Sequence, residues 1–249
     1  MNHRVKLVLS FDGAAYAGWQ RQTSGTGVQQ VVEKALGRIF PGTTFHVQGS
    51  SRTDAGVHAL GLAAHVDLPA NSRMTPLKLR AALNAVLPED VRVVASTKAG
   101  PAFDARFSAK AKQYRYFVWN SPVMNPLLRG RAWHVPAKLD VPAMKRAARL
   151  FIGTHDFRSL TVNRGGGLED SVRTLTVCRV SRSGPRIMIV VQGTGFLYKM
   201  CRGIAGTLVK VGQGRIREAD IRSILAAKDR TAAGMNAPAE GLVLWKVFY

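Results

Sequence analysis

The chain has little cysteine, and it lacks the usual patterns that bind a metal or a nucleotide phosphate. Its two cysteines, Cys178 and Cys201, form neither a C-x-x-C pair nor a disulfide framework, and each is predicted to be a small buried apolar residue. The six histidines show no H-x-x-x-H or H-x-x-E-H spacing. A G-x-x-x-x-G-K-(S/T) loop and a G-x-G-x-x-G motif after a strand are also absent. The sequence therefore predicts no metal and no cofactor, and a chemistry that uses ordinary side chains.

Acidic residues are scarce as well. There are 15 Asp plus Glu against 36 Lys plus Arg, which gives a formal net charge of +21. Such an excess predicts a polyanionic partner, either a phosphate backbone or an acidic membrane. No run approaches the roughly 18 apolar residues of a spanning helix, and the basic residues are spread through folded-looking segments. Nucleic acid is therefore favoured, and the lack of a signal peptide and of a disulfide pattern indicates the cytoplasm.

Patterning in the first hundred residues predicts the order strand, helix, strand, strand, helix, strand. A capping box at residues 26–29 opens the first helix, and Thr75 with Pro76 opens the second, which Pro88 ends. Strands are predicted at residues 5–11, 45–48, 62–68 and 91–95.

The second half repeats this order loosely. Asp140 and Pro142 open a helix that Gly153 closes. Further helices are predicted at 197–211 and 217–227, strands at 113–120, 173–180, 186–192 and 242–248, and a loop at 165–167. Mixed strands and helices in this order imply an α+β architecture, with sheets covered on one side by helices. We expect two similar halves, residues 1–103 and 104–249, joined near residues 98–107.

One carboxylate has unusual neighbours. Asp54 stands in the window R-T-D-A-G-V-H-A, between Arg52 and Gly56, in a strongly basic chain. A surface that binds a polyanion favours loss of negative charge, so an acid here indicates chemistry or a role in holding its loop. The alternative is an Asx turn, in which Thr53 and Asp54 bond their own backbone beside Gly56.

This window resembles the signature of tRNA pseudouridine synthases of the TruA family, and other blocks extend the resemblance in the same order over nearly all 249 residues. Those blocks are Phe11-Asp12-Gly13-Ala-Ala-Tyr16-Ala-Gly18-Trp19-Gln20, Phe103-Asp-Ala105-Arg106-Phe107, Lys112-Gln-Tyr114-Arg115-Tyr116, Gly153-Thr-His155-Asp156-Phe157-Arg-Ser159, Phe196-Leu197-Tyr198-Lys-Met200-Cys-Arg202 and Ala237-Pro238-Ala-Glu240-Gly241. Small departures keep the apolar or loop character, for example Ser51 where a glycine is common.

The resemblance implies an isomerase that converts uridine to pseudouridine at positions 38, 39 and 40 of the tRNA anticodon stem-loop. It also implies a mainly antiparallel sheet shared by two pseudo-symmetric halves, a catalytic cleft between them, and a homodimer that binds tRNA through a basic cleft. No cofactor and no metal is expected.

The resemblance assigns roles to five residues. Asp54 matches the catalytic aspartate, Tyr114 the tyrosine that stacks on the uracil, and Leu197 a wall of the uracil pocket. Arg202 matches the partner of the aspartate, and Arg52 is the alternative partner or the residue that displaces the base. Taken from the residues alone, Tyr114 is equally well explained as the buried face of a strand. His58 looks structural.

Two other function classes fit parts of the pattern. An RNA-binding or RNA-folding protein on the same scaffold would use the basic charge without catalysis. A glycoside or nucleoside hydrolase would need a second carboxylate beside Asp54, and the acids at 104, 156, 170 and 240 are the candidates. The attack of Asp54 on C1′, its addition to C6 and its removal of a C2′ proton are all compatible with the sequence.

Overall fold

The computed structural model describes residues 3–162 and 170–249. They fall into two compact units, of which unit 1 takes the described residues of Met1–Lys110 together with Leu244–Tyr249, and unit 2 takes those of Ala111–Val243. The loop predicted at residues 165–167 lies outside the described residues. No helix within the two described ranges is long and apolar enough to cross a membrane.

Unit 1 combines an antiparallel sheet with two helices. Its elements are β1 His3–Phe11, α1 Val28–Ile39, β2 Gln48–Gly49, β3 His58–Leu68, α2 Pro76–Val86, β4 Val91–Ala99 and the final residues of β10, which runs over Leu242–Phe248. Strand β1 pairs antiparallel with both β3 and β4, and the strand order is β4-β1-β3-β10. Short β2 pairs with β3.

The core of unit 1 follows from alternation along β1. Val5, Leu7 and Leu9 are each 0% exposed, whereas the residues between them are partly exposed. Burying such side chains contributes about 1.5–3 kcal/mol each. The elements of this unit follow the predicted order of strands and helices, which is confirmed. The predicted helix start at Thr75 is also confirmed, because its hydroxyl accepts a hydrogen bond from Lys78 N at 3.3 Å.

Unit 2 combines mainly antiparallel strands with three α-helices. Its elements are β5 Ala111–Trp119, β6 Trp133–His134, α3 Val141–Arg149, β7 Gly153–Asp156, β8 Val172–Ser183, β9 Arg186–Gly193, α4 Met200–Gly212 and α5 Asp220–Ala227. The strand order is β5-β9-β8-β7 with antiparallel pairs, and β6 adds to β5 in parallel. Helix α3 packs against β8 and α4. The predicted α+β class with mainly antiparallel strands and flanking helices is confirmed.

The start of α1 differs from the prediction. Gly27, not Thr26, is the N-cap, and the side chain of Gln30 accepts a hydrogen bond from Gly27 N at 2.8 Å. Val28 N and Gln29 N donate to the carbonyls of residues 18 and 19, at 3.0 and 2.9 Å. These distant carbonyls satisfy the first amides of the helix, so no Thr hydroxyl is needed there.

Other elements also differ from the prediction. The strand predicted at residues 45–48 shrinks to β2, and β6 and β7 were not predicted because two to four residues carry too little pattern. Helix α4 begins at Met200 instead of residue 197, because Lys199 takes a left-handed conformation with φ 59°.

The compact units divide the chain differently from the predicted halves 1–103 and 104–249. Residues 104–110 and the last six residues belong to unit 1. Hydrogen bonds explain this, because Lys110 N donates to Phe248 O at 2.8 Å and the Tyr249 hydroxyl donates to Ala105 O at 2.8 Å. The division into two pseudo-symmetric halves stays a prediction.

Candidate active site

Asp54 lies at the first position of a tight turn in unit 1. Val57 N donates to the backbone carbonyl of Asp54 at 3.2 Å, and Gly56 has φ 77°, as the third residue of a type II turn requires. The side chain of Asp54 is half-buried. The hydrogen bond that closes this turn is therefore made by the backbone of Asp54.

A second loop braces the turn. We call residues 12–22 the first loop and residues 50–57 the Asp54 loop. Trp19 N donates to Thr53 O at 3.4 Å, and Gly56 N donates to Tyr16 O at 3.3 Å. The Asp54 loop is therefore held by backbone bonds on both sides of the carboxylate.

Gly18 makes this approach possible. Its φ is 98°, and a Cβ there would lie 2.3 Å from Thr53 O and 3.1 Å from the carbonyl carbon of Asp54. Such contacts exclude any side chain, so Gly18 is required by both conformation and space. The motif F-D-G-x-x-Y-x-G-W-Q thus has a physical role, which is to fix the Asp54 loop.

His58 also connects the two loops. Its Nδ1 lies 3.0 Å from Gly13 N, which donates to it, and 2.9 Å from Oδ1 of Asp12. The imidazole is 6% exposed. This enclosed position agrees with the structural role expected for His58.

Tyr16 ties the first loop to the start of β4. Its hydroxyl donates to Asp90 Oδ1 at 2.6 Å. Burial, followed by the bond to Asp90, raises the pKa of the Tyr16 hydroxyl, which keeps its proton available for this bond. The first loop is therefore anchored at several points.

Arg52 and Thr53 have opposite environments within the Asp54 loop. Arg52 is exposed, whereas Thr53 is 9% exposed and its Oγ1 has no hydrogen-bond partner among the described residues. The Asx-turn alternative has both Thr53 and Asp54 bond their own backbone, and Thr53 does not form such a bond in the described part of the chain. Arg52 is placed to meet a ligand from solvent.

Tyr114 lies on β5 in unit 2 and is 7% exposed. Tyr116 and Val118 are buried on the same face of the strand, as the strand alternative required. The ring of Tyr114 meets the ring of Phe196 edge to face, with centroids 4.9 Å apart and planes at 75°. Phe196 therefore packs directly against the ring of Tyr114.

Tyr116, in contrast, is a core residue. It is 1% exposed, its hydroxyl donates to Pro238 O at 2.9 Å, and burial raises its pKa. Its ring meets Trp133 of β6 edge to face, whereas Tyr114 meets Phe196, which lies in a loop.

Arg202 is anchored to the block A-P-A-E-G. Its Nε donates to Ala237 O at 2.7 Å, and Ala237 N donates to Arg202 O at 3.0 Å. Arg202 is half-buried, one turn into α4. These reciprocal bonds fix the guanidinium to a second segment, so Arg202 is not a freely solvated surface arginine.

Leu197 precedes α4 in a loop with an unusual backbone. Leu197 is half-buried, and its carbonyl accepts a hydrogen bond from Met200 N at 3.2 Å. Lys199, in the left-handed region, then redirects the chain into the helix. Neither Leu197 nor Lys199 is part of regular structure.

The structure thus places Asp54 and Arg52 on one loop of unit 1, and Tyr114, Leu197 and Arg202 in unit 2. Sequence reasoning missed the residues that hold these groups, chiefly Gly18 and Thr161, whose hydroxyl donates to Tyr198 O at 2.7 Å. Both lie in or beside the motifs of the sequence, but a contact between distant segments cannot be seen in one sequence.

Several other carboxylates are engaged elsewhere. Asp104 Oδ1 accepts from Arg106 N and Phe107 N, Asp156 accepts from Arg158 N, and Asp170 pairs with Arg173. Such bonds explain these three acids locally, and Glu240, which is exposed, is the remaining candidate for the second carboxylate of a hydrolase.

Metal and thiol chemistry find no support in the described residues. Within residues 3–162 and 170–249, no group of three or more His, Cys, Asp or Glu side chains could hold a metal ion. Cys178 and Cys201 are both buried free thiols, and burial raises the pKa of Cys178 to about 12. The predicted burial of both cysteines is confirmed.

Comparison with known proteins gives a consistent result. The profile of the family described as tRNA pseudouridine synthase matches residues 7–108 and 147–249. A tRNA pseudouridine synthase A of Geobacillus kaustophilus is 44% identical, and the alignment covers 100% of this chain and 95% of that protein. Proteins with the same name from Acetivibrio thermocellus and Methylacidiphilum infernorum are 42% and 41% identical, with 98% of this chain covered in each case and 99% and 94% of the relatives.

Proposed function

The chain belongs to the tRNA pseudouridine synthase family, and from this premise we propose that it forms pseudouridine at positions 38, 39 and 40 of the anticodon stem-loop, with Asp54 as the essential carboxylate. Family membership makes the chain a tRNA-modifying isomerase. The position of the target uridines and the role of each residue are the proposed parts.

The observation that carries the proposal is the bracing of the Asp54 loop. A half-buried acid sits on a turn that a backbone carbonyl closes, and hydrogen bonds from Trp19 N to Thr53 O and from Gly56 N to Tyr16 O fix the backbone on both sides. Catalytic groups are held in this way because small displacements of a reacting group are costly to the rate. A loop whose only task was to bind RNA would not need an acid at its turn.

The reaction breaks the N1–C1′ bond and forms a C5–C1′ bond. C5 loses its proton and N1 gains one, so the composition of the nucleotide does not change and no cofactor is required. Asp54 supplies the carboxylate by attack on C1′, by addition to C6, or by removal of the C2′ proton. All three routes need a carboxylate with a fixed position.

The remaining roles follow the chemistry of base flipping. A uridine must leave its stack, at a cost of roughly a few kcal/mol. Exposed Arg52 fits the displacement of the base, Tyr114 the stacking of the uracil, and Leu197 an apolar wall. Arg202, already oriented by Ala237, is proposed as the ionic partner of Asp54, and Arg52 is the alternative.

Substrate binding is proposed to rely on charge. A net charge of +21 attracts a phosphate backbone and releases its counterions, so affinity for tRNA should fall steeply as salt rises. We propose that the chain works as a homodimer, because a protein of this size covers only part of a tRNA. Its place of action would be the cytoplasm, where tRNA is processed.

The test is release of tritium from tRNA transcripts labelled at C5 of uridine. Release should occur with wild-type transcript and should be lost when uridines 38, 39 and 40 are all replaced by cytidine. Unchanged release from the replaced transcript would reject the proposed positions. Tight binding of tRNA without any release would favour the RNA-binding alternative.

A further inference from the structure

Unit 2 contains a basic cavity that the proposed chemistry does not use. It has a volume of about 670 Å³ and is formed by the C-terminal end of α3, by β7 and by α5. Thr154, His155 and Asp156, from a block that the sequence singled out, line one side. We call it the basic cavity.

Three cations line the basic cavity. They are Arg149 at the end of α3, Arg222 on α5 and Lys228 just after α5, and all three are exposed to solvent. No ion pair in the described ranges involves Arg149 or Arg222, although nearby Arg146 pairs with Glu218 at 2.6 Å. Arg146 is thus neutralised by a nearby acid, whereas Arg149 and Arg222 have no carboxylate partner in the described ranges.

The single acid in the cavity is already engaged. Asp156 Oδ1 accepts a hydrogen bond from Arg158 N at 3.0 Å, and Oδ2 lies 3.7 Å from Lys228 Nζ. With the histidine neutral, three cations and one carboxylate leave a net positive cavity. The acid orients the lysine and does not cancel the two arginines.

The backbone of Lys228 is a second and independent observation. Lys228 has φ 52°, a left-handed conformation at the C-cap of α5 where glycine is the usual residue. Only two non-glycine residues in the described part of the chain have positive φ, and the other is Lys199 beside the candidate active site. A cation in a strained position at the rim of a cavity points to a function for its charge.

We propose that the basic cavity binds a phosphodiester segment of the tRNA backbone, as a contact separate from the residues that act on the uridine. This inference rests on the proposed function, which supplies tRNA as the ligand. Guanidinium groups suit phosphate oxygens because they donate two parallel hydrogen bonds. The apolar part of the wall, with Leu150, Ile152 and Leu225, suits the sugar that joins two phosphates.

A second copy of the chain is a poorer occupant. The chain has 15 acidic against 36 basic side chains, so another copy has few carboxylates to offer to a basic cavity. A phosphate backbone has the opposite charge and needs no base-specific contact. The cavity therefore fits positioning of tRNA and not the reading of its sequence.

The central experiment measures binding of tRNA to the variant R149A/R222A at several salt concentrations. The matched control is R182A/R186A, which removes two exposed arginines from the β8–β9 hairpin of the same unit, outside the cavity. The cavity variant should bind roughly tenfold more weakly, and its log–log salt slope should fall by about 2, while the control changes by less than half of this. Equal effects in the two variants would show a diffuse field and overturn the proposal.

Lys228→Gly is a second variant that separates charge from folding. Glycine suits the left-handed conformation, so the melting temperature should hold or rise, whereas binding of tRNA should weaken a few fold. Unchanged tRNA affinity would overturn the role of the lysine. A change of sedimentation with unchanged tRNA affinity would assign the cavity to contact between copies.

Binding is measured without turnover. If the wild-type protein bound tRNA but released no tritium, the proposed function would fail while the comparison of cavity and control variants would keep its meaning. If tritium were released normally and the two variants bound alike, only the cavity proposal would fail.

Discussion

The hydroxyl of Thr161 donates a hydrogen bond to the carbonyl oxygen of Tyr198 at 2.7 Å, and the same carbonyl accepts from Val162 N at 3.4 Å. Thr161 is 2% exposed. The bond therefore fixes, from a buried position, the peptide just before left-handed Lys199. This hydrogen bond lets Thr161 position the loop that carries Leu197 and leads to Arg202.

Thr161→Val should loosen this loop without changing the volume of the side chain. Loss of one buried hydrogen bond should lower the free energy of unfolding by about 1 kcal/mol. The single-turnover rate of pseudouridine formation should fall by more than a loss of about 1 kcal/mol in stability would explain. The reason is that the backbone that carries Leu197 and leads to Arg202 is no longer held in place. Thr176→Val, at an exposed site on β8, is the control, and equal rates in both variants would count against the positioning role.

Gly18→Ala should destabilise unit 1 and displace the Asp54 loop. Left-handed strain and a clash with Thr53 O should together cost about 2–4 kcal/mol of unfolding free energy. Gly37→Ala in helix α1 is the control, because no atom lies within 4 Å of the position that a Cβ would take there. Alanine at this position should raise the free energy of unfolding by about 0.5–1 kcal/mol. Thermal melting of both variants tests the contrast, and a neutral Gly18→Ala would refute the bracing.

Asp54→Asn should abolish turnover while the affinity for tRNA stays within a few fold. The amide keeps the size of the side chain but removes its charge and nucleophilicity. Tritium release and filter binding measure the two effects. Asp170→Asn, an exposed acid paired with Arg173, should leave both unchanged. Comparable turnover in Asp54→Asn would remove Asp54 from the catalytic role.

Tyr114→Leu should weaken the bound state of the flipped uridine, because stacking on an aromatic ring contributes about 1–3 kcal/mol per base. Tyr114→Phe keeps the ring and should retain most of the activity if stacking is the role. The two variants are compared by single-turnover rates over a range of tRNA concentrations. Equal losses in both would instead indicate that the hydroxyl matters.

Arg202→Ala should slow the chemical step on the order of 100-fold if the guanidinium orients Asp54, because misplacement of a reacting group has effects of that size. Arg202→Lys keeps the charge but cannot repeat the Nε bond to Ala237, so it should recover only part of the rate. Single-turnover rates at saturating tRNA report the step. Wild-type chemistry in Arg202→Ala, together with loss in Arg52→Ala, would assign the pairing to Arg52.

Local signals in the sequence predicted local structure well. The helix start at Asp140 is confirmed, since its carboxylate accepts from Ala143 N at 2.9 Å, and the whole arrangement involves neighbouring residues. The start of α1 was wrong by one residue because its amides bond to carbonyls of the first loop, which are distant from the expected capping hydroxyl.

In the candidate site, too, contacts between distant segments could not be predicted from the sequence. Its residue types were visible in the motifs, but the bond from Thr161 to Tyr198 joins segments 37 residues apart. The left-handed Lys199 depends on this tertiary support, and lysine has no preference for that conformation. Hydrophobic periodicity therefore placed the start of α4 three residues too early, in a loop whose conformation depends on the contact with Thr161.

The completion of unit 1 by residues 244–249 has a consequence for biosynthesis. The ribosome makes all of unit 2 before it makes the strand that lies against β3, where Gly61 meets the backbone of Trp245. A nascent chain at that stage carries the whole Asp54 loop on a sheet with an open edge, and open strand edges pair readily with other chains. Removal of residues 244–249 would therefore yield an aggregation-prone product instead of a slightly shortened enzyme.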